Sequence, residues 1–222
     1  MFDKRINIFT GHFGSGKTEV AVNYAFALSE RYDRVAIVDL DIVNPFFRTA
    51  DARQELEGRG IKTVLPLFAN TNVDVPALSP EINMLFEKKE YRVVLDVGGD
   101  DLGAKAVSRY KDEIIADDYE LLFVVNTRRP MTDTPGKIAE MICEIEGSSR
   151  IAVTGLVNNT NLLGSTTCDD ILKGHEMVCE ISDKLGIPVK FISGLDSAVS
   201  GLKGKTGIEV LVMHKYIRLP WE

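Results

Sequence analysis

A chain of 222 residues, 45% hydrophobic and 27% charged, has the make-up of a globular protein, which excludes disordered and fibrous classes. Its 33 acidic against 26 basic residues leave a net charge of -7, which argues against a bulk electrostatic grip on nucleic acid. No apolar run approaches the roughly 18 residues that span a bilayer, and the opening Met1-Phe2-Asp3-Lys4-Arg5 leaves no room for a signal peptide, so the expected location is cytoplasmic.

In chain order, apolar runs predict strands over 5–10, 34–39, 61–65, 91–97, 119–126, 150–157 and 188–192. Runs such as Val35-Ala36-Ile37-Val38 and Leu121-Leu122-Phe123-Val124-Val125 lack polar alternation, which predicts a mostly parallel sheet covered on both faces. Between the strands, helices are predicted over 17–30, 47–58, 79–89, 103–116, 134–146, 168–185 and 206–217. Ser79 is the predicted N-cap of the third, followed by Pro80 and Glu81; Gly186-Ile187-Pro188 ends the sixth. This βα alternation predicts a three-layer, doubly wound α/β fold, and with no repeat or linker the whole span 1–222 reads as one domain. Cys143, Cys168 and Cys179 form no CxxC pair and read as reduced thiols.

The sharpest local signal is Gly11-His12-Phe13-Gly14-Ser15-Gly16-Lys17-Thr18, which satisfies G-x-x-x-x-G-K-[ST] between a predicted strand and a predicted helix. Glycines let successive backbone N–H groups turn inward around phosphate oxygens, and the helix N-terminus adds partial positive charge. Lys17 is expected to reach the β- and γ-phosphates and Thr18 to ligate Mg²⁺. Asp39, Asp41 and Asp96 fall at predicted strand ends, where ligands bind in such folds, and are candidates for holding Mg²⁺ or orienting water. Asp96 opens Asp96-Val97-Gly98-Gly99, whose last glycine is placed to offer its N–H to a γ-phosphate. A second Gly204-Lys205-Thr206 lacks the required earlier glycine, since Val199 stands there, and reads as a helix-entry turn.

Taken together, the loop at 11–18, Val38-Asp39-Leu40-Asp41, Asp96 to Gly99, Gly155 to Asn159 and Gly186 to Asp196 resemble the MinD/ParA/Mrp class of P-loop ATPases, kin to the nitrogenase iron protein. The stretch Asp39 to Arg48 resembles an ATP-binding subgroup of that class. The resemblance implies that Asp41 positions the hydrolytic water, that Asp39 and Asp96 lie near Mg²⁺, and that Asp96 to Gly99 forms a second switch. It also implies that Asn159 reads the adenine edge, with Ser193, Gly194, Leu195 and Asp196 on the other side of the base. A guanine-reading N-K-x-D is absent: Asn126-Thr127-Arg128-Arg129 has Arg at the acidic position, so ATP is expected over GTP. His12 stands where the class has a lysine, which argues against an ATP-driven sandwich dimer and against fast hydrolysis. Arg48, Arg128 and Arg129 are candidates for the missing charge.

Weaker features complete the reading. Asn44-Pro45-Phe46-Phe47 fits either a partner surface or core packing, and His175 and Cys179 share a helix face at i, i+4 without a third ligand. Ile208, Leu211, Val212 and Tyr216 fit an amphipathic helix packed on the sheet rather than a membrane anchor. The expected function is a slow Mg²⁺-dependent ATPase that switches a protein partner, with Lys17 and Asp41 catalytic and a homodimer left open. A small-molecule kinase or ligase resembling dethiobiotin synthetase, and a sensor that binds ATP without turnover, stand as alternatives.

Overall fold

The computed structural model describes residues 1–41, 48–65 and 80–217. Eight parallel strands form one sheet in the order β3-β2-β4-β1-β5-β6-β7-β8: β1 Ile6–Thr10, β2 Val35–Leu40, β3 Lys62–Val64, β4 Arg92–Val97, β5 Tyr119–Val125, β6 Gly155–Asn158, β7 Val189–Leu195 and β8 Glu209–Met213. The helices are α1 Lys17–Ser29, α2 Arg53–Gly58, α3 Glu81–Glu87, α4 Asp101–Ser108, α5 Lys111–Ile115, α6 Pro135–Ser149, α7 Cys168–Leu185 and α8 Asp196–Val199. Predicted parallel pairing is thus present throughout, with both faces buried.

The continuous apolar strands feed two separate cores. Ile6 and Ile8, Val93 and Leu95, and Leu121 and Phe123 face one side, where α3 to α7 bring Leu85, Val107, Ile138, Ile142 and Val178. Phe9, Val94, Leu122 and Val124 face the other, against Val20, Ala21, Tyr24 and Leu28 of α1. Such two-sided burial at roughly 25 cal/mol per Å² of apolar surface is what holds a parallel sheet together. The buried α1 also fastens the C-terminal segment. Asn23 exchanges hydrogen bonds with the backbone of His214, and Glu19 accepts from the Tyr216 and Ile217 N–H groups.

Four predicted elements differ. The predicted helix over 206–217 is replaced by strand β8, which pairs with β7 in parallel through Leu211↔Ser193 and Met213↔Leu195. Leu211 and Met213 are buried while Val212 is exposed, a period of two that suits a strand. Gly204, at φ 76°, accordingly leads into a strand and not a helix. The span 103–116 breaks into α4 and α5 at Arg109-Tyr110, and the described part of 47–58 is a 3-10 turn, Thr49–Ala52, followed by α2. The strand predicted at 150–157 begins only at Gly155. Gly186 closes α7 in the left-handed conformation as expected (φ 68°), whereas the Ser79 cap and Asn44 to Phe47 lie outside the described residues. Among the described residues no helix is long and apolar enough to cross a membrane.

Candidate phosphate and metal site

Strand order brings the predicted residues together. Strand β4 lies between β1 and β2, with Asp96 in register with both Phe9 and Asp39, so the acidic ends of β2 and β4 flank the loop that leaves β1. That loop needs glycine where it turns: Gly16 caps α1 in the left-handed conformation, φ 84° and ψ 18°. A Cβ at Gly16 would also lie 2.4 Å from the Asn159 amide nitrogen. Gly99 packs closer still, since a Cβ there would come within 1.8 Å of the Gly11 carbonyl oxygen. The second glycine of Gly98-Gly99 therefore seats the loop after β4 directly on the phosphate loop.

The charges form a buried ring. Lys17 Nζ donates to Asp41 Oδ2 at 2.7 Å, with both side chains buried. Arg48 grips Asp39 through two bonds, Nε to Oδ2 at 3.0 Å and Nη2 to Oδ1 at 3.2 Å, and the Asp41 N–H also donates to Asp39 Oδ1. Thr49 Oγ1 donates to Asp96 Oδ2 at 3.0 Å. Burial pushes the Asp96 carboxyl up to about 7; Lys17 pulls it down, Asp39 and Asp41 push it up, and the Thr18 hydroxyl favours the charged form. Burial likewise raises Asp39 against the pull of Arg48. For Lys17 burial alone would lower the ammonium, but Asp96, Asp41 and Asp39 outweigh it and the net shift is upward.

Two buried polar atoms have no partner among the described residues: Asp96 Oδ1 and Ser15 Oγ. Unsatisfied buried oxygens are rare and call for a ligand or water. The Asp96 carboxylate and the Thr18 hydroxyl that acts on it are a donor set of hard oxygens, which fits Mg²⁺. Asp39, by contrast, has both oxygens engaged by Arg48 and the Asp41 N–H. No group of three or more His, Cys, Asp or Glu placed to hold a metal ion by themselves occurs among the described residues, and His175 lies against Cys179, with Sγ 3.6 Å from Nε2.

The base-side residues are also tied to the loop. Asn159 follows β6; its Nδ2 donates to the Ser15 carbonyl at 2.7 Å and its Oδ1 accepts from Ser193 Oγ at 3.0 Å. Ser193, Gly194 and Leu195 end β7, and exposed Asp196 begins α8. His12 is half-buried, its Nδ1 bonded to the Phe13 carbonyl at 2.8 Å, while Phe13 is exposed. Of the three arginines, Arg48 holds Asp39, Arg128 pairs with Asp170, and Arg129 Nε donates to the Gly14 carbonyl at 3.0 Å. Sequence reasoning missed Thr49 and the Ser15–Asn159 link, for which no local pattern exists.

No protein-family model matches the chain, and no curated protein matches it. Solved structures do. FtsY of Thermotoga maritima, a cell division protein, shares 20% identity at a TM-score of 0.56 over 85% of this chain and 60% of its own. Chloroplast FtsY of Physcomitrella patens shares 22% at 0.55 over 84% and 57%. The signal recognition particle receptor FtsY of Elizabethkingia anophelis, solved in complex with GDP, shares 18% at 0.53 over 87% and 58%. The chain spans less than two thirds of the length of these proteins, and at such identities the likeness defines a fold: that of the P-loop NTPases.

Proposed function

We propose that the chain binds Mg²⁺-ATP on the 11–18 loop and acts as a slow ATPase switch of the MinD/ParA/Mrp kind. The observation that carries this reading is the convergence on one loop of Lys17, Thr18, the Asp41 carboxylate and the unpartnered Asp96 Oδ1. Lys17 and the loop N–H groups bind phosphate oxygens, and an incoming phosphate competes with Asp41 for the Lys17 ammonium. Released from Lys17, Asp41 is the carboxylate that orients water. Thr18 and Asp96 would hold Mg²⁺, which neutralises phosphate charge when bound. Thr49 holds the Asp96 carboxylate in place, and Asn159 and Ser193 brace the loop, with one Asn159 amide hydrogen left for an adenine edge.

A protein partner is supported by where apolar side chains emerge. Phe13, Leu102, Met131, Leu162 and Leu163 are exposed and follow β1, β4, β5 and β6 at the end of the sheet that carries the loop. A homodimer through this end would use the same surface. The acidic balance disfavours nucleic acid and the chain is read as cytoplasmic.

The sensor alternative has its own support, because Asp41 is held by a buried lysine and Asp39 by a buried arginine. Calorimetric titration with ATP and GTP, with and without Mg²⁺, together with single-turnover phosphate release, tests the proposal. The expected outcome is Mg²⁺-strengthened ATP binding, weaker GTP binding, and slow release that Asp41→Ala abolishes. Preference for GTP would overturn the base assignment; no release from either protein would establish the sensor.

A further inference from the structure

We propose that Arg129, from the loop between β5 and α6, is a phosphate-contacting residue of this site, supplying a second cation to the loop beside Lys17. The inference rests on the nucleotide reading above and adds a residue to it. Arg129 lies against the turn of the loop: its Nε donates to the Gly14 carbonyl at 3.0 Å, and a Cβ on Gly14 would meet Nε at 3.2 Å and Cζ at 3.4 Å. Among the described residues this is the only hydrogen bond or ion pair of the guanidinium, so both terminal nitrogens keep their donors.

The neighbouring cations are committed elsewhere. Arg48 is engaged by Asp39, Arg128 by Asp170, and Lys137 by Asp133 and the Pro130 carbonyl. The backbone that carries Arg129 is fixed as well. Its N–H donates to the Asn126 carbonyl at 3.1 Å, its carbonyl accepts from the Thr132 N–H at 2.9 Å, and the buried Thr132 hydroxyl donates to Asn126 O at 2.6 Å. A side chain on so defined a turn gives up little freedom in binding.

Electrostatics call for such a group. Among the described residues Lys17 and Arg48 are the cations paired with Asp41 and Asp39 in the buried ring, and a triphosphate brings more negative charge than one divalent ion removes. A guanidinium presents a planar fork to phosphate oxygens and remains charged at every relevant pH. As charge shifts on the terminal phosphates during transfer, a cation at this place gains in effect.

The rival role is a mechanical prop under Gly14, and two substitutions separate it. Arg129→Gln keeps a neutral donor for the Gly14 carbonyl, while Arg129→Lys keeps the charge. Mg²⁺-ATP affinity of the wild type and both variants is measured by calorimetry across a salt series. The expected result is about a tenfold rise in Kd for Arg129→Gln, a flatter salt dependence, and an intermediate affinity for Arg129→Lys. Wild-type affinity in Arg129→Gln overturns the proposal, as does an equal loss in both variants with the salt dependence unchanged. Failure of the wild type to bind ATP would instead remove the nucleotide reading on which the proposal stands.

Discussion

At the amino end of the sheet half-buried Asp117 sits among donors; at the carboxyl end Asp96 is buried among competitors. Asp117 accepts from Arg5 Nε at 2.8 Å, from Arg5 Nη2, from Lys89 Nζ at 2.6 Å and from the Asp118 N–H at 2.8 Å. Arg5 completes its fork on the carbonyls of Leu85 and Tyr91. Burial pushes the Asp117 carboxyl up, but Arg5 and Lys89 outweigh it and hold the group well below the usual carboxylate range. At the other end burial wins for Asp39 and Asp96, and two buried side-chain oxygens have no partner among the described residues. The same residue type thus serves stability where its bonds are complete, and where they are not it is left open to a ligand, as the proposed function requires.

The largest expected effect breaks the ligand end. Lys17→Ala should lower Mg²⁺-ATP affinity by on the order of 10³-fold, read by calorimetry, since the loop loses the ammonium that reaches the phosphates. Retained affinity would sink the nucleotide reading. Next comes the stability end. Asp117→Ala leaves Arg5, whose side chain is only 8% exposed, without its counter-ion. It should cost about 3 kcal/mol in urea unfolding while ATP affinity stays unchanged. A variant that loses affinity as well would show that the two ends are energetically coupled.

This division of labour was only partly legible in the sequence. The apolar strands announced a sheet buried on both faces, and the loop at 11–18 with Asp39, Asp41 and Asp96 named residues that the fold brings together at one end of the sheet. The C-terminal segment misled, because Ile208, Leu211 and Val212 fit a helical stripe while the run Glu209 to Met213 is short enough to serve as a strand. What decides it is the open edge of β7, with which β8 pairs in register. Contacts that tune the site were unreadable for another reason. Thr49 meets Asp96, and Arg129 meets Gly14, across 47 and 115 positions of chain, so no local pattern encodes either. Arg48 was visible as a cation, but only the fold turns it inward onto Asp39.

The smallest effect sharpens the comparison by its sign. Asp96→Asn preserves shape and removes a buried charge whose Oδ1 has no partner among the described residues, so it should stabilise the fold by about 1 kcal/mol while Mg²⁺-dependent ATP affinity falls about tenfold. The linkage follows from the raised carboxyl. In the folded chain Asp96 takes up its proton near pH 7, whereas in the unfolded chain it does so near about 4. Between these values the folded state binds more protons, so stability rises as pH falls through 7; above 7 the penalty is complete, and below about 4 it is gone. Asp117 runs the other way: its contribution is present above about 4 and is lost only as pH falls toward its depressed folded value. Urea unfolding at pH 8 and pH 6 should therefore show a gain on acidification in the wild type and a smaller one in Asp96→Asn, with Glu19, which burial pushes to about 7, and Asp39, which burial also raises, keeping the remainder. Equal gains in the two proteins would mean that Asp96 stays ionised across this range, satisfied as fully as Asp117 is at the far end of the sheet.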